Sequence, residues 1–448
     1  IGKLKSNVKR IANKEYLVNK RQENKQLICD LVSSVETHSS SRSFDLYCKQ
    51  NFLDNVMRGG YPLSFKYSSR EVHLQAYSRK HGDLERDYNK FLIEPTYFSQ
   101  GNGNFRDVNQ NRRSDMWFNP YIKKENVCFF FNLIQSDGYN PLVIKPDSFI
   151  FNGNPQILNK FLKDSHAGII RGRLEEPFTP GELLHFIELN DISIAGPKGE
   201  SGGKIRPEEE FLIAVLTHST RIINAEHGEG FWIDHWTYCL DLLESYLRLY
   251  PENLKGLLLE HEEFTFYDNA EFVRPRREKY FLRGGRVFQF HAVGNSHAKG
   301  NLIVKRKEFP HLMRSQNGHG DIFKTKLIVK MLVVIANKFS TLDPFGIGVE
   351  MEADKPNWYD SLNGLPGLLG SSTCETFELK RWIIFLKESF DKIAIGSGYV
   401  INLPFELYDL LSGLDYISKE RLSPYDFWDK SHNIKEDYRS NTMLGFSG

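Results

Sequence analysis

The chain has 448 residues, 40% of them hydrophobic, enough to bury the core of one large domain or two ordinary ones. Its 58 lysines and arginines nearly balance 57 aspartates and glutamates, which removes the broad basic surface of a general nucleic-acid or membrane-surface binder. Five scattered cysteines (Cys29, Cys48, Cys128, Cys239, Cys374) form no CxxC pair, so neither a disulfide framework nor a zinc site is indicated.

Residues 1–42 are polar and basic, with aliphatic side chains at loose helical spacing and a closing "SSSRS", and read as an N-terminal linker helix region. Thr179-Pro180-Gly181-Glu182 ahead of "LLHFIEL" is a capping box with proline at the first helical position. Pro207 to Glu210 put acids in the first turn of a helix predicted over "FLIAVLTHSTRII". Asp234 is placed to cap "HWTYCLDLLESYLRLY", which Pro251 stops. "YFLRGGRVFQFHAV", 280–293, reads as a hairpin, and "TKLIVKMLVVIANKF", "ETFELKRWIIFLKESF" and "PFELYDLLSGL" as further helices. The pattern predicts a mainly α protein with long loops and a few short β-hairpins, its chemistry held in loops at helix ends. The loops to search are 95–125 and 342–376, which are long and rich in aromatic and charged residues.

Aromatic residues make up 13% of the chain, several beside carboxylates, amides or histidine. Aromatic faces next to polar forks suit sugar rings, whose C–H faces stack and whose hydroxyls need paired donors and acceptors; ordinary core packing is the alternative for most of the phenylalanines. In "SQGNGNFRDVNQNRRSDMW", 99–117, four asparagines, two glutamines and three arginines could satisfy such an array, with Gly101 and Gly103 letting the backbone approach the ring. "FWIDHWTY", 231–238, places Trp232, Asp234 and His235 either as a second sugar platform or anion pocket, or as a helix cap among core aromatics. "SRKHGDLER", 78–86, offers Arg79, His81 and Arg86 as an oxyanion cradle. In the second loop Glu350, Glu352, Asp354, Asp360 and Glu375 lie near Trp358-Tyr359, and a carboxylic acid against a tryptophan face keeps its proton near neutral pH.

"NWYDSLNG", 357–364, resembles the Asp-Trp-Asn-Asp-Gly motif of the cellobiose phosphorylase-like glycoside phosphorylases, with Trp358 at the sugar-stacking position and Asp360 at the general acid. "FRDVNQN", 105–111, resembles that family's Arg-Asp-x-x-Gln-Asp loop, so the resemblance implies donor-sugar contacts for Arg106, Asp107 and Gln110. "GSSTCETFEL" is similar to the stretch that follows the acid and brings in Glu375. The wording around residues 79–117 and 231–238 looks most like the long-chain β-1,3-glucan phosphorylase branch. Asn357, Tyr359 and Asn111 depart from the family pattern, and the chain ends soon after Asp360, which reads as a shortened member or a fragment.

The resemblance implies a six-fold (α/α) barrel over residues 43–448. It implies an inverting phosphorylase that cleaves a β-glucosidic oligosaccharide to α-glucose 1-phosphate, with Asp360 catalytic and phosphate as co-substrate. Arg106, Asp107, Gln110, Trp232, Asp234, His235, Trp358, Tyr359 and Glu375 would contact substrate, and Arg79, His81 and Arg86 phosphate. An inverting hydrolase needs a second carboxylate as base, for which Glu350, Glu352 or Asp107 would serve; a non-catalytic glycan-binding barrel is the third reading. No cofactor or metal, no nucleic acid and no membrane are expected; a homodimer is compatible with the reading, and cytoplasmic residence is the expected location.

Overall fold

The computed structural model describes residues 8, 11–76, 98–100, 102–195, 206–228, 230–289, 291–353 and 370–448. Arg79, His81, Arg86, Asp354, Trp358, Tyr359 and Asp360 lie outside these residues. The protein is mainly α, with short strands between helices. Among the described residues no helix is long and apolar enough to cross a membrane.

The helix Lys14–Ser33 is started by Asn13, whose side chain accepts from the amides of Glu15 and Tyr16. It buries none of its residues and packs on the next helix, Arg42–Gly59. That second helix buries Phe52, Asn55, Val56 and Gly59 and leans on the helix Phe105–Arg112. The join is close because residue 59 has no side chain: a Cβ there would lie 3.1 Å from Arg112 Cγ, and Arg112 Nε donates to the Gly59 carbonyl at 2.9 Å.

Two apolar clusters form the core. The larger gathers Phe105, Phe130, Phe131, Trp236 and Trp382 between the helices Phe105–Arg112, Glu125–Asn132, Thr237–Leu249, Leu327–Phe339, Thr373–Ile393 and Phe405–Ser418. The smaller is built on Phe149, Phe161, Phe178 and Phe211, from the helices Asp164–Arg173, Pro180–Leu189 and Pro207–Thr217 and the hairpin Tyr61–Tyr67/Arg70–Ala76. Leu327–Phe339 is buried on nearly every side, as a helix surrounded by others must be. It still carries Lys330 inside, which donates to the carbonyls of Ile134 and Thr265, both at 2.7 Å, above the Phe266 ring.

The Thr179–Glu182 capping box is present on both arms. The 280–293 hairpin forms as Tyr280–Arg283 against Arg286–Gln289, turning on Gly284 and Gly285, both in the left-handed region. Two expectations are corrected. The helix starting at Pro207 ends at Thr217, and "STRI" becomes a strand paired with Ser148–Phe151; its β-branched Thr220 and Ile222 suit the pleat. "FRDVNQN" is a helix rather than a loop, because Asn104 caps it and Phe105, Val108, Asn109 and Arg112 give it a buried face.

A three-stranded sheet joins Gly103–Asn104, Val143–Ile144 and Ala225–Glu226. It sets the start of the Phe105–Arg112 helix beside the 231–236 turn. At the other side, Val349–Glu350 pairs with Ser371–Ser372, which leads straight into Thr373–Ile393.

Candidate functional site

Asn104 accepts from the amides of Arg106 (2.9 Å) and Asp107 (3.4 Å), which fixes the first turn and the direction of both side chains. Gly103 is needed for packing: a Cβ there would come within 2.4 Å of Val108 Cγ2.

Arg106 Nε lies 2.8 Å from Asp234 Oδ2 and Arg106 Nη1 3.6 Å from Asp107 Oδ1, with the guanidinium 5.5 Å from the Tyr238 ring centre. Asp234 does not cap the following helix with its carboxylate; its backbone carbonyl accepts from Thr237 N and Oγ1. The carboxylate is committed to Arg106 because both lie in the same part-buried interior. Burial raises the Asp234 carboxyl to about 6 against the opposing pull of Arg106.

His235 is sandwiched between Phe105 and Trp232, at interplanar angles of 16° and 13°. Asn140 Nδ2 donates to His235 Nδ1 at 3.2 Å, so the ring proton sits on Nε2, which has no hydrogen-bond partner among the described residues. Burial first, then Arg106 and Lys338, hold the ring well below the usual histidine range, hence neutral. Trp232 is packed with Leu142 and Val143 at 2% exposure, as in the core-aromatic alternative for this stretch.

Glu375, in the first turn of Thr373–Ile393, points into the same interior at 2% exposure, and its Oε2 has no hydrogen-bond partner among the described residues. Burial, then the charge of Asp234, lifts its carboxyl to about 8, while Lys338 pulls the other way. Lys338 comes from the last turn of Leu327–Phe339, its Nζ 4.5 Å from the Tyr139 ring centre and 5.7 Å from that of Trp236. Burial lowers it to about 8, with Glu375 opposing. Among the described residues Asp234 Oδ1, His235 Nε2, Trp236 Nε1 and Glu375 Oε2 are buried without a hydrogen-bond partner. Buried donors and acceptors of this kind can be met by ligand hydroxyl groups, which both donate and accept.

The structure brings together Arg106, Asp107, Asp234, His235 and Glu375 from three separate stretches. Gln110 sits half-buried in the last turn of the Phe105–Arg112 helix. Arg112 and Arg113 serve packing and ion pairing: Arg112 is buried against the Phe129 and Phe130 rings, and Arg113 pairs with Asp241 at 3.0 Å. Lys338, Tyr139 and Asn140 were not legible as site residues. A lysine closing an apolar helix looks like an ordinary C-terminal cation, and nothing local reveals that this one is covered.

Glu350 and Glu352 turn away to the helix Pro424–Asn441. Glu350 accepts from Trp428 Nε1 at 2.8 Å and meets His432 Nε2 at 3.0 Å. Glu352 accepts from Lys435 Nζ (2.6 Å) and Tyr139 OH (3.1 Å) and pairs with Arg439 Nη1 (2.8 Å). Burial works against its charge, yet Arg439, Lys435 and Lys279 together hold Glu352 well below the usual carboxylate range. A carboxylate so fully engaged is a poor base for water, which corrects its place among the hydrolase candidates.

The Glu375 carboxyl makes stability depend on pH. Its folded value, about 8, lies above the ordinary 4.5, so the folded state holds the extra proton between these values and stability falls as pH rises through that window. Glu375→Gln is expected to flatten this fall, gaining on the wild type from pH 4.5 to 8 in urea titrations. Parallel curves for the two proteins would contradict the burial of an unpaired carboxyl here.

No known protein-family profile matches the chain, and no curated protein matches it.

Proposed function

We propose that this protein is an inverting glycoside phosphorylase of the cellobiose phosphorylase-like kind, folded as a six-fold (α/α) barrel, that cleaves a β-linked gluco-oligosaccharide with inorganic phosphate. The observation that carries the reading is the convergence of Arg106, Asp107, Asp234, His235 and Glu375, residues the resemblance and the aromatic-polar pattern had singled out, into one buried polar cluster. In this reading Asp360 gives its proton to the leaving glycosidic oxygen as the bond to the anomeric carbon breaks. A phosphate oxygen bonds that carbon from the opposite face, and the products are α-glucose 1-phosphate and the shortened chain. Phosphate arrives as an anion, so no second carboxylate is required; the engagement of Glu350 and Glu352 with the Pro424–Asn441 helix favours this over hydrolysis.

Asp107→Ala is expected to raise KM and lower kcat together, since a gripped sugar hydroxyl tightens in the transition state. Normal kinetics and unchanged oligosaccharide affinity by calorimetry would make the Phe105–Arg112 helix merely structural. The reaction itself is tested in reverse. α-Glucose 1-phosphate with a gluco-oligosaccharide acceptor is expected to liberate phosphate, and absence of phosphate release with both present would sink the proposal.

A further inference from the structure

A cavity of about 630 Å³ opens beside the candidate site, lined among others by His227, Tyr267, Asn269, Glu271 and His311. Its backbone wall, Ala225–Gly228, begins with Ala225–Glu226, the outer strand of the three-stranded sheet whose opposite strand, Gly103–Asn104, launches Arg106 and Asp107. Two strand spacings amount to about 10 Å, so cavity and site are neighbours within reach of one extended ligand. From the cavity the chain runs on directly through Phe231, against which His227 packs edge-on at 4.5 Å, to Asp234 and His235.

The lining has a definite chemistry. Tyr267 and His311 stack nearly parallel, at 4° and 5.2 Å, and the Tyr267 hydroxyl is tied to the Ala225 carbonyl at 2.8 Å, so the aromatic pair is fixed. His311 Nδ1 donates to the Asp268 carbonyl at 2.9 Å. Asn269 is only 7% exposed, and among the described residues its Nδ2 has no hydrogen-bond partner, nor has His227 Nδ1. Burial holds His227 below the usual histidine range, hence uncharged. Lys145 is paired with Glu226, and no arginine lines the cavity. Among the described residues no group of three or more His, Cys, Asp or Glu is placed to hold a metal. A fixed aromatic pair, amide and imidazole groups, the Glu271 carboxylate and the Glu226–Lys145 ion pair suit an uncharged polyhydroxylated ring, and suit a phosphate or a metal ion poorly.

We infer that this cavity is a second saccharide subsite, which holds a pyranose ring of the same oligosaccharide away from the bond that is cleaved, through Asn269, His227 and His311. The inference rests on the saccharide reading of the Arg106–Asp234–Glu375 site. It is tested by calorimetry without phosphate, with β-linked gluco-oligosaccharides from disaccharide to hexasaccharide. Wild-type affinity is expected to rise with chain length. Asn269→Ala, and independently His227→Gln, should weaken hexasaccharide binding by about 5- to 10-fold and leave the disaccharide unchanged, whereas Asp107→Ala should weaken every length. Length curves for both cavity variants that superimpose on the wild type, at an unchanged thermal midpoint, would overturn the subsite. A length dependence lost in the cavity variants supports it even if the intact protein consumes no phosphate, so the two readings fail separately.

Discussion

Asp360→Asn is expected to reduce turnover by about 10²- to 10⁴-fold while oligosaccharide binding survives, because the amide keeps the shape of the acid and cannot deliver a proton. The assignment of Asp360 comes from "NWYDSLNG", and the structure supplies the comparison that makes the test sharp. If activity stays within about threefold of wild type, the proton comes from elsewhere, and two carboxyls named beside it now differ in kind. Glu352 is ionised and surrounded by Arg439, Lys435, Lys279 and the Tyr139 hydroxyl, so it has no proton to give. Glu375, lifted to about 8 by burial and by Asp234, keeps its proton at neutral pH and is the group to which the role would pass. The double variant with Glu375→Gln separates the two cases.

The second large effect is on stability. Glu352 is the only carboxylate within salt-bridge distance of Lys279, Lys435 and Arg439 among the described residues. Glu352→Ala is expected to destabilise the protein by about 3–5 kcal/mol, because two lysines and an arginine then lose their buried counter-charge. The pH dependence has the opposite sign to that of Glu375. The folded carboxyl lies well below its ordinary 4.5, so its contribution is present above that value and is lost as pH falls through the folded one. Urea titrations of Glu352→Ala and of the wild type should differ by this amount at pH 7 and converge in acid. A difference under about 1 kcal/mol would mean that the cluster behaves like a solvated surface pair.

Local signals proved readable where the physics is local. The Thr179–Glu182 box, the Gly284-Gly285 turn and the helix from Leu327 follow from capping, left-handed glycine and apolar periodicity within a few residues. "FRDVNQN" was misread as a loop because its polarity resembles a solvated turn. The face of Phe105, Val108 and Arg112 becomes apolar only against Gly59, Phe129 and Phe130, far away in the chain. The site divides in the same way. Arg106 and Asp107 carried a motif, and Asp234, His235 and Glu375 stood out by their aromatic neighbours. Lys338 and Tyr139 acquire their meaning from tertiary burial, and Trp232 takes its place in the core by packing on Leu142 and Val143. Glu350 and Glu352 looked free in the sequence because their partners, Trp428, His432, Lys435 and Arg439, lie on a helix that begins at Pro424.

The central claim is that phosphate, and not water, takes the sugar. Incubated with a β-linked gluco-oligosaccharide in phosphate buffer, the intact protein is expected to release α-glucose 1-phosphate, and in phosphate-free buffer almost no new reducing ends; reducing-sugar release that is independent of phosphate would contradict the account.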